Sequence, residues 1–407
     1  MARSFPSFTV TKKAEKSIKS GQPLVYGEEV LSHSGEYQNG GIGDVYSEKG
    51  KYLGSGFIND NSKILLRIIS KNANDKFDDD FFRRRVRYAL QYRLDVLVGE
   101  ISACRLIYGD SDGLPGLVVD RFGCVLVSQC RCLGTEMRKN IILTELVRLL
   151  REKGEKITAV YERNDVPSRE KEGLTQYKDF FVVDGLENSA QNPVQIEENG
   201  IKYYVDFING QKTGFFLDQK YNRLAIKSIA RGKRVLDCFT HTGSFALNAA
   251  DGGAKSVTAV DISATALAQA RENAVINGLE DKINFVEADV FSYLTEKSKG
   301  SRGEFDFIIL DPPAFTKSTS TIANAASGYR EINTLAMKIL PRGGYLATCS
   351  CSHFMSDALF RQVIAEAASF AGVNLLQIEG KKQSKDHPIL WGVPETEYLK
   401  FYIFRVI

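Results

Sequence analysis

The sequence predicts an α/β protein whose C-terminal half is an open, mainly parallel sheet covered by helices, with two smaller domains ahead of it. Three observations carry this. From about Gly200, apolar strand-like runs alternate with amphipathic helical ones: KRVLDCF, SFALNAA, SVTAVDIS, ATALAQARENAVING, INFVEADV, DFIILDPP, GYREINTLAMKIL and GGYLATCSCS. That alternation belongs to a parallel sheet buried on both faces. The stretch up to about Ser70 instead alternates apolar and polar residues between glycine-rich turns, as short strands of a small sheet or barrel do. A chain of 407 residues also exceeds one typical core.

Taken in order, GIGDVYSEKGKYLGSGFI and KILLRIIS supply strands of the first domain. A helix is expected from about Lys76 to Gly99, because Phe81, Phe82, Val86, Leu90, Leu94 and Leu97 fall near helical spacing. CRLIYGDSDGLPGLVVDRFGCVLVSQC then reads as two or three strands broken by Gly-Asp and Pro-Gly turns. A helix near Thr135 to Lys153 and strands at ITAVYE and FFVVDG complete a small α+β domain. The alternating strand-helix pattern starts after GIKYYVDFING.

Composition excludes several classes. With 43% apolar and 25% charged residues, the chain is an ordinary globular one. No run of about twenty apolar residues is present, and the start MARSFPSFTVTKKAEKSIKSG has no apolar signal core, so neither membrane insertion nor export is indicated. Seven scattered cysteines suit a reducing, cytoplasmic setting. The net charge of +3 implies no polyanion by itself, but residues 1–93 hold sixteen Lys/Arg against eleven Asp/Glu, including Arg83, Arg84, Arg85 and Arg87. Such a cluster is either a solvated helix face or a set of phosphate contacts.

The chemistry gathers at strand ends, where ligands sit in doubly wound sheets. Asp237 ends one strand and Gly243 follows it before a helix; Asp261 ends the next strand; Asp289 ends the third in EADV. A carboxylate at the second position accepts ribose hydroxyls, which fits a dinucleotide or S-adenosylmethionine. There is no G-x-G-x-x-G and hence no pyrophosphate cradle, which leaves the methyl donor. Asp289 is placed to hold an adenine amino group. Asp311 in IILDPPAF precedes two prolines, which stiffen the exit from the strand, as in nucleic-acid methyltransferases. Cys349 and Cys351 end the strand expected beside it. A thiolate added to pyrimidine C6 makes C5 nucleophilic enough to take a sulfonium methyl, and an acid such as Asp311 stabilises charge at N3. Packing of the cysteines in the core is the rival reading. Zinc is set aside: Cys130 and Cys132 form only a C-x-C, inside an apolar strand pattern. No metal is expected.

Nearly the whole chain resembles the bacterial large-subunit (23S) ribosomal RNA cytosine-C5 methyltransferases that carry an N-terminal PUA domain. The matching stretches are GDVYSEKGKYLGSGFIN, YGDSDGLPGLVVDRFG, YERNDVPSREKEGL, NGQKTGFFLDQKYNR, LDCFTHTGSFAL, AVDIS, LDPPAF, GYREIN and TCSCSHF. The resemblance implies a PUA barrel at 1–73, a central α+β domain at 74–190 and a Rossmann-like class I methyltransferase domain at 191–407. It implies S-adenosylmethionine as cofactor, with Gln211, Thr213 and Phe216 closing over the donor. Asp237, Phe239, Thr240 and Gly243 would hold its methionine part, Asp261 with Ile262 its ribose, and Asp289 with Val290 its adenine end. It implies Cys351 as nucleophile, whereas other cytosine-C5 RNA enzymes, with a TCS motif, would point to Cys349. Where many of these enzymes have a second cysteine after Asp-Pro-Pro, this chain has Ala314. The partner implied is ribosomal RNA, with no membrane; a homodimer stays open. The rival functions are methylation of uracil C5 or guanine on the same scaffold, a noncatalytic RNA-binding assembly factor, and a small-molecule methyltransferase.

Overall fold

The computed structural model describes residues 4–316 and 318–407. The chain forms two units. One takes residues up to Ile196 together with 205–217 and 385–396; the other takes Glu197–Tyr204, Asp218–Ser384 and Glu397–Ile407.

The first unit holds two sheets. The N-terminal one is built from β1 (Ser7–Val10), β2 (Leu24–Tyr26), β3 (Val30–Ser34), β4 (Ile42–Ser47), β5 (Tyr52–Ile58) and β6 (Ile64–Ser70), in the order β2-β6-β5-β4-β1-β3. It closes over a core of Phe8, Val10, Val25, Val45, Ile58 and Leu66. The sequence reading missed α1 (Lys12–Lys19) within it. Only Ala14 and Ile18 of that helix are buried, so its apolar signal is two residues one turn apart. Thr11 caps it, its Oγ1 accepting from the Ala14 amide at 3.2 Å.

The long helix α2 runs from Asp79 to Leu97, capped by Asp78, and buries Phe81, Phe82, Val86, Ala89, Leu90 and Leu97. The second sheet has the order β11-β10-β9-β8-β7. Its strands are β7 (Ala103–Tyr108), β8 (Leu117–Phe122), β9 (Val125–Cys130), β10 (Ala159–Asn164) and β11 (Tyr177–Phe181), with α3 (Leu133–Glu136) and α4 (Lys139–Glu152) between β9 and β10. One helix was expected where two now stand. Cys130 and Cys132 are buried in this core. The arginine cluster is largely committed to the fold. Arg83 pairs with Asp80 and Arg84 with Asp75, each at 3.2 Å, while Arg85 donates to the Ile69 carbonyl at 3.0 Å and lies over the Phe81 ring. Arg87 is exposed.

After a hairpin of β12 (Val194–Glu198) and β13 (Ile201–Val205), the second unit builds a seven-stranded sheet. Its elements are α5 (Lys220–Ile229), β14 (Arg234–Cys238), α6 (Ser244–Asp251), β15 (Ser256–Asp261), α7 (Ala264–Ile276), β16 (Ile283–Glu287), α8 (Val290–Lys297), β17 (Phe307–Leu310), α9 (Ile322–Ile339), β18 (Tyr345–Ser350), α10 (Asp357–Ala371), β19 (Leu375–Lys381) and β20 (Lys400–Val406). The order is β16-β15-β14-β17-β18-β20-β19. β14 to β18 run parallel and β20 is antiparallel to both neighbours. Successive strands move outward from β14 in one direction and then, from β17, in the other. The switch point therefore lies between β14 and β17, and a ligand crevice opens at their carboxyl ends. Helix α9 begins six residues before the expected GYREIN start, and α5, α8 and α10 were not anticipated. Among the described residues, no helix is long and apolar enough to cross a membrane.

Candidate active site

β14 ends in the turn Phe239–Gly243, where the backbone leaves ordinary conformations: φ is +63° at Phe239, +51° at His241 and +81° at Gly243. Two non-glycine residues in the left-handed region within five positions is a strained arrangement of the kind that gathers at functional sites. Gly243 is required there, since a Cβ would meet the Ala270 Cβ at 3.0 Å in addition to the positive φ.

The turn is organised by Asp237, which is fully buried. Its Oδ2 accepts from Thr240 Oγ1 at 2.5 Å and from the Ala246 amide at 2.9 Å. Its Oδ1 is buried and has no hydrogen-bond partner among the described residues. Burial pushes the carboxyl up to about 7, and nearby Asp311 adds to this, while the Thr240 hydrogen bond opposes it. An orphaned buried acceptor is costly and marks the place of a missing donor. Asp261 at the tip of β15 uses Oδ2 for the His241 amide (2.8 Å) and Oδ1 for the Ser263 amide (2.9 Å). A carboxylate offers about four acceptor positions, so ribose hydroxyls still find room. Ile262 beside it is 69% exposed, an apolar side chain at a strand tip. Asp289 has a role the sequence reading did not see: it caps α8, with Oδ1 accepting from the amide and hydroxyl of Ser292 at 2.9 and 2.8 Å. Val290, the next residue, is buried, and Phe239 packs edge-on to Phe315.

The second half of the site lies one strand away. β17 and β18 pair in parallel with Leu310 opposite Thr348, so the next residues, Asp311 and Cys349, fall side by side. The Cys349 thiol and the Asp311 carboxyl lie close enough that each shifts the other's titration. Loss of hydration pushes Asp311 up to about 7, and the negative charge of Asp218 reinforces it. Cys349 is completely buried, and burial followed by the Asp311 charge pushes its thiol well up. Cys351 is two residues on, past the end of the strand, and keeps part of its surface exposed. The loops holding Asp311 and Cys351 are tied together, because Ser352 Oγ donates to the Thr316 carbonyl at 3.1 Å. Ala314 is half-buried in the same loop.

Sequence reasoning missed the support under Asp311. Gln219 donates from Nε2 to Asp311 Oδ1 at 3.0 Å, and Asn222 Nδ2 donates to Gln219 Oε1 at 2.6 Å. Both are buried, and both lie in LDQKYNR, a stretch noted only for its resemblance; polar residues three apart at a helix start were the available signal. Tyr329 of GYREIN is likewise buried; its hydroxyl accepts from Ser350 Oγ at 3.0 Å and its ring packs on Phe315. The other expected donor residues fall in the first unit. There Thr213 is buried and donates to Asp120 at 2.5 Å, a carboxylate also gripped by Arg105 at 2.7 Å through two nitrogens. Gln211 accepts from the Gly214 amide at 2.8 Å, and Phe216 is half-buried.

Residues 141–387 match the S-adenosylmethionine-dependent methyltransferase family, and residues 8–71 match a PUA-like domain. A protein of Aeromonas salmonicida named ribosomal RNA large subunit methyltransferase I is 39% identical over 97% of this chain and 98% of its own length. Its namesake from Shewanella denitrificans is 41% identical over 96% and 97%. Among solved structures, a Streptococcus mutans protein named for SAM-dependent methyltransferase activity covers 98% of this chain and all of its own at a TM-score of 0.80 and 22% identity. SMU.776, named as a methyltransferase and complexed with SAH, gives 0.82 at the same identity and coverage. These two show a shared fold. With a family match over more than half its length and relatives near 40% identity from end to end, the chain belongs to the S-adenosylmethionine-dependent methyltransferases, in the family of the ribosomal RNA large subunit methyltransferase I proteins.

Proposed function

We propose that the protein methylates C5 of a cytosine in large-subunit (23S) ribosomal RNA through a covalent adduct with Cys351, acting in the cytoplasm. The observation that carries this is the register of β17 and β18, which sets the Asp311 carboxyl and the cysteine-bearing strand end side by side at the switch point.

Donor binding draws on the Asp237 turn. The orphaned Oδ1 of Asp237 suits the positively charged amino group of the donor's methionine part, Asp261 the ribose, and Ile262 an apolar ring face. Phe239, Thr240, Gly243, Asp289 and Val290 are proposed to complete this cradle. Gln211, Thr213 and Phe216 are proposed as further donor contacts on the strength of the resemblance. When bound, S-adenosylmethionine supplies an electrophilic sulfonium methyl.

The Cys351 thiolate adds to C6 of the cytosine, forming the S–C6 bond and pushing the ring electrons towards C5. Asp311, held protonated up to about pH 7 by its surroundings, donates to N3 and offsets the charge arriving there. C5 takes the methyl as its bond to sulfur breaks. Loss of the C5 proton to a base or water then restores the C5–C6 double bond and expels the thiolate. Cys349 is the second reading, favoured by its place beside Asp311 in the strand register. Complete burial and an elevated thiol make it the poorer nucleophile. Domain limits of 1–73, 74–190 and 191–407 are proposed as RNA-contacting, central and catalytic parts. The test is incubation of the protein with unmodified 23S RNA and labelled donor, followed by nucleoside analysis: label in 5-methylcytidine supports the reading, and label in 5-methyluridine, a methylguanosine or nowhere overturns it.

A further inference from the structure

We propose that Lys400 is a positioning residue for this chemistry, the cation that holds the Cys351 sulfur as a thiolate. The inference rests on Cys351 being the nucleophile, and it adds a residue from a strand that the motifs do not touch.

Lys400 is the first residue of β20 and pairs across the antiparallel register with Ser350, the residue before Cys351. Its Nζ donates at 2.7 Å to the carbonyl of Ser352, the residue after Cys351, and at 2.7 Å to the carbonyl of Tyr398. Strand pairing at Ser350 and the Nζ hydrogen bond at Ser352 thus tie Lys400 to the residues on either side of Cys351. The side chain is buried, and among the described residues it forms no ion pair with a carboxylate. An ammonium offers three donors; two go to neutral carbonyls.

A buried cation without an anion is costly, and the surroundings name the anion. Burial pulls Lys400 down to about 8, and of the groups that pull it back up, the Cys351 sulfur acts most strongly, ahead of Asp357 and Glu397. Both acids are engaged elsewhere, Asp357 with the Tyr402 hydroxyl and Glu397 with Lys382 at 2.6 Å. The Tyr398 hydroxyl is turned to Asp218 at 2.6 Å, and His353 stacks against the Tyr398 ring. A thiolate beside a lysine is the ordinary means of lowering a cysteine's pKa. The thiol proton goes to bulk water, and no other bond changes.

The experiment is the rate of Cys351 alkylation by iodoacetamide against pH, read by peptide mass spectrometry on the full chain. In the wild type the midpoint should lie below the ordinary value of about 8.5. Lys400→Gln keeps a hydrogen-bond donor but removes the charge, and should raise the midpoint by about one unit, slowing alkylation at pH 7 about tenfold; Lys400→Arg should restore most of it. A wild-type midpoint at or above 8.5, or equal midpoints in wild type and a folded Lys400→Gln, overturns the proposal. The wild-type midpoint decides alone if Lys400→Gln does not fold. Methyl transfer by Cys351→Ala separates the two ideas. If that variant stays active while the midpoint shift is present, the ion pair stands and the covalent reading falls. If it is inactive and the shift is absent, the reverse holds.

Discussion

Donor affinity should fall as pH drops below 7, by a factor that approaches tenfold per pH unit, because Asp237 must give up a proton to accept the donor's ammonium. In the free protein, burial raises this carboxyl from 3.8 to about 7, so below 7 it is mostly neutral. A cation against Oδ1 favours the ionised form, and the pKa in the complex is therefore lower. The sign follows: affinity is at its full value above 7 and is lost as pH falls below it, one proton being released per donor bound. The shift of about 3 units, at 1.36 kcal/mol each, bounds the pairing at about 4 kcal/mol. Asp237 is fully buried, so no discount for solvent screening applies. The assay is titration calorimetry with S-adenosylmethionine between pH 5.5 and 7.5 in two buffers of different ionisation enthalpy. We expect close to one proton released at pH 6, an approximately fivefold weaker Kd than at 7, and neither effect in Asp237→Asn. Asp311→Asn should keep the proton release. A wild-type Kd that is flat across this range, with no release, refutes the reasoning.

Three further outcomes follow from the same geometry. Gly243→Ala places a Cβ at positive φ and 3.0 Å from Ala270, and should cost about 1–3 kcal/mol, visible as a lower Tm. The Arg223–Glu198 pair is bidentate at 2.6 and 2.8 Å and almost wholly buried. Arg223→Met should cost about 3–5 kcal/mol in denaturant unfolding, and replacing both partners with apolar residues should recover much of it. In Gln219→Leu, Asp311 loses the amide that favours its charged form, so its pKa rises. The alkaline limb of methyl transfer against pH should then move upward; an unmoved limb would remove Asp311 from the rate-controlling step.

Much of the catalytic sheet was legible because each parallel strand writes a continuous apolar run and ends in a polar residue. The placement of GGYLATCSC beside the Asp-Pro-Pro strand followed from that pattern, and the β17–β18 register bears it out. What escaped was whatever depends on distant partners. Gln219 is 92 residues from Asp311, and Lys400 is 48 from Ser352; no local period encodes either. Segment 385–396 joins the first unit through Asp386, which accepts from the Arg105 amide 281 residues away at 2.7 Å. Asp289 shows the opposite limit. Its carboxylate caps a helix with a signal local in sequence, yet the strand-end argument drew attention only to its ligand role. The arginines after DKFDDD read as either a solvated helix face or a set of phosphate contacts; composition could not say that Asp80 pairs with Arg83 and Asp75 with Arg84.

The thiol-adduct account is tested most directly with RNA that carries 5-fluorocytosine, from which the C5 proton cannot leave after methyl transfer. With S-adenosylmethionine present, the wild-type protein should become covalently attached to the RNA through Cys351, and Cys349→Ala should do so as well. Attachment that persists in Cys351→Ala, or fails in the wild type on RNA it otherwise methylates, would contradict it.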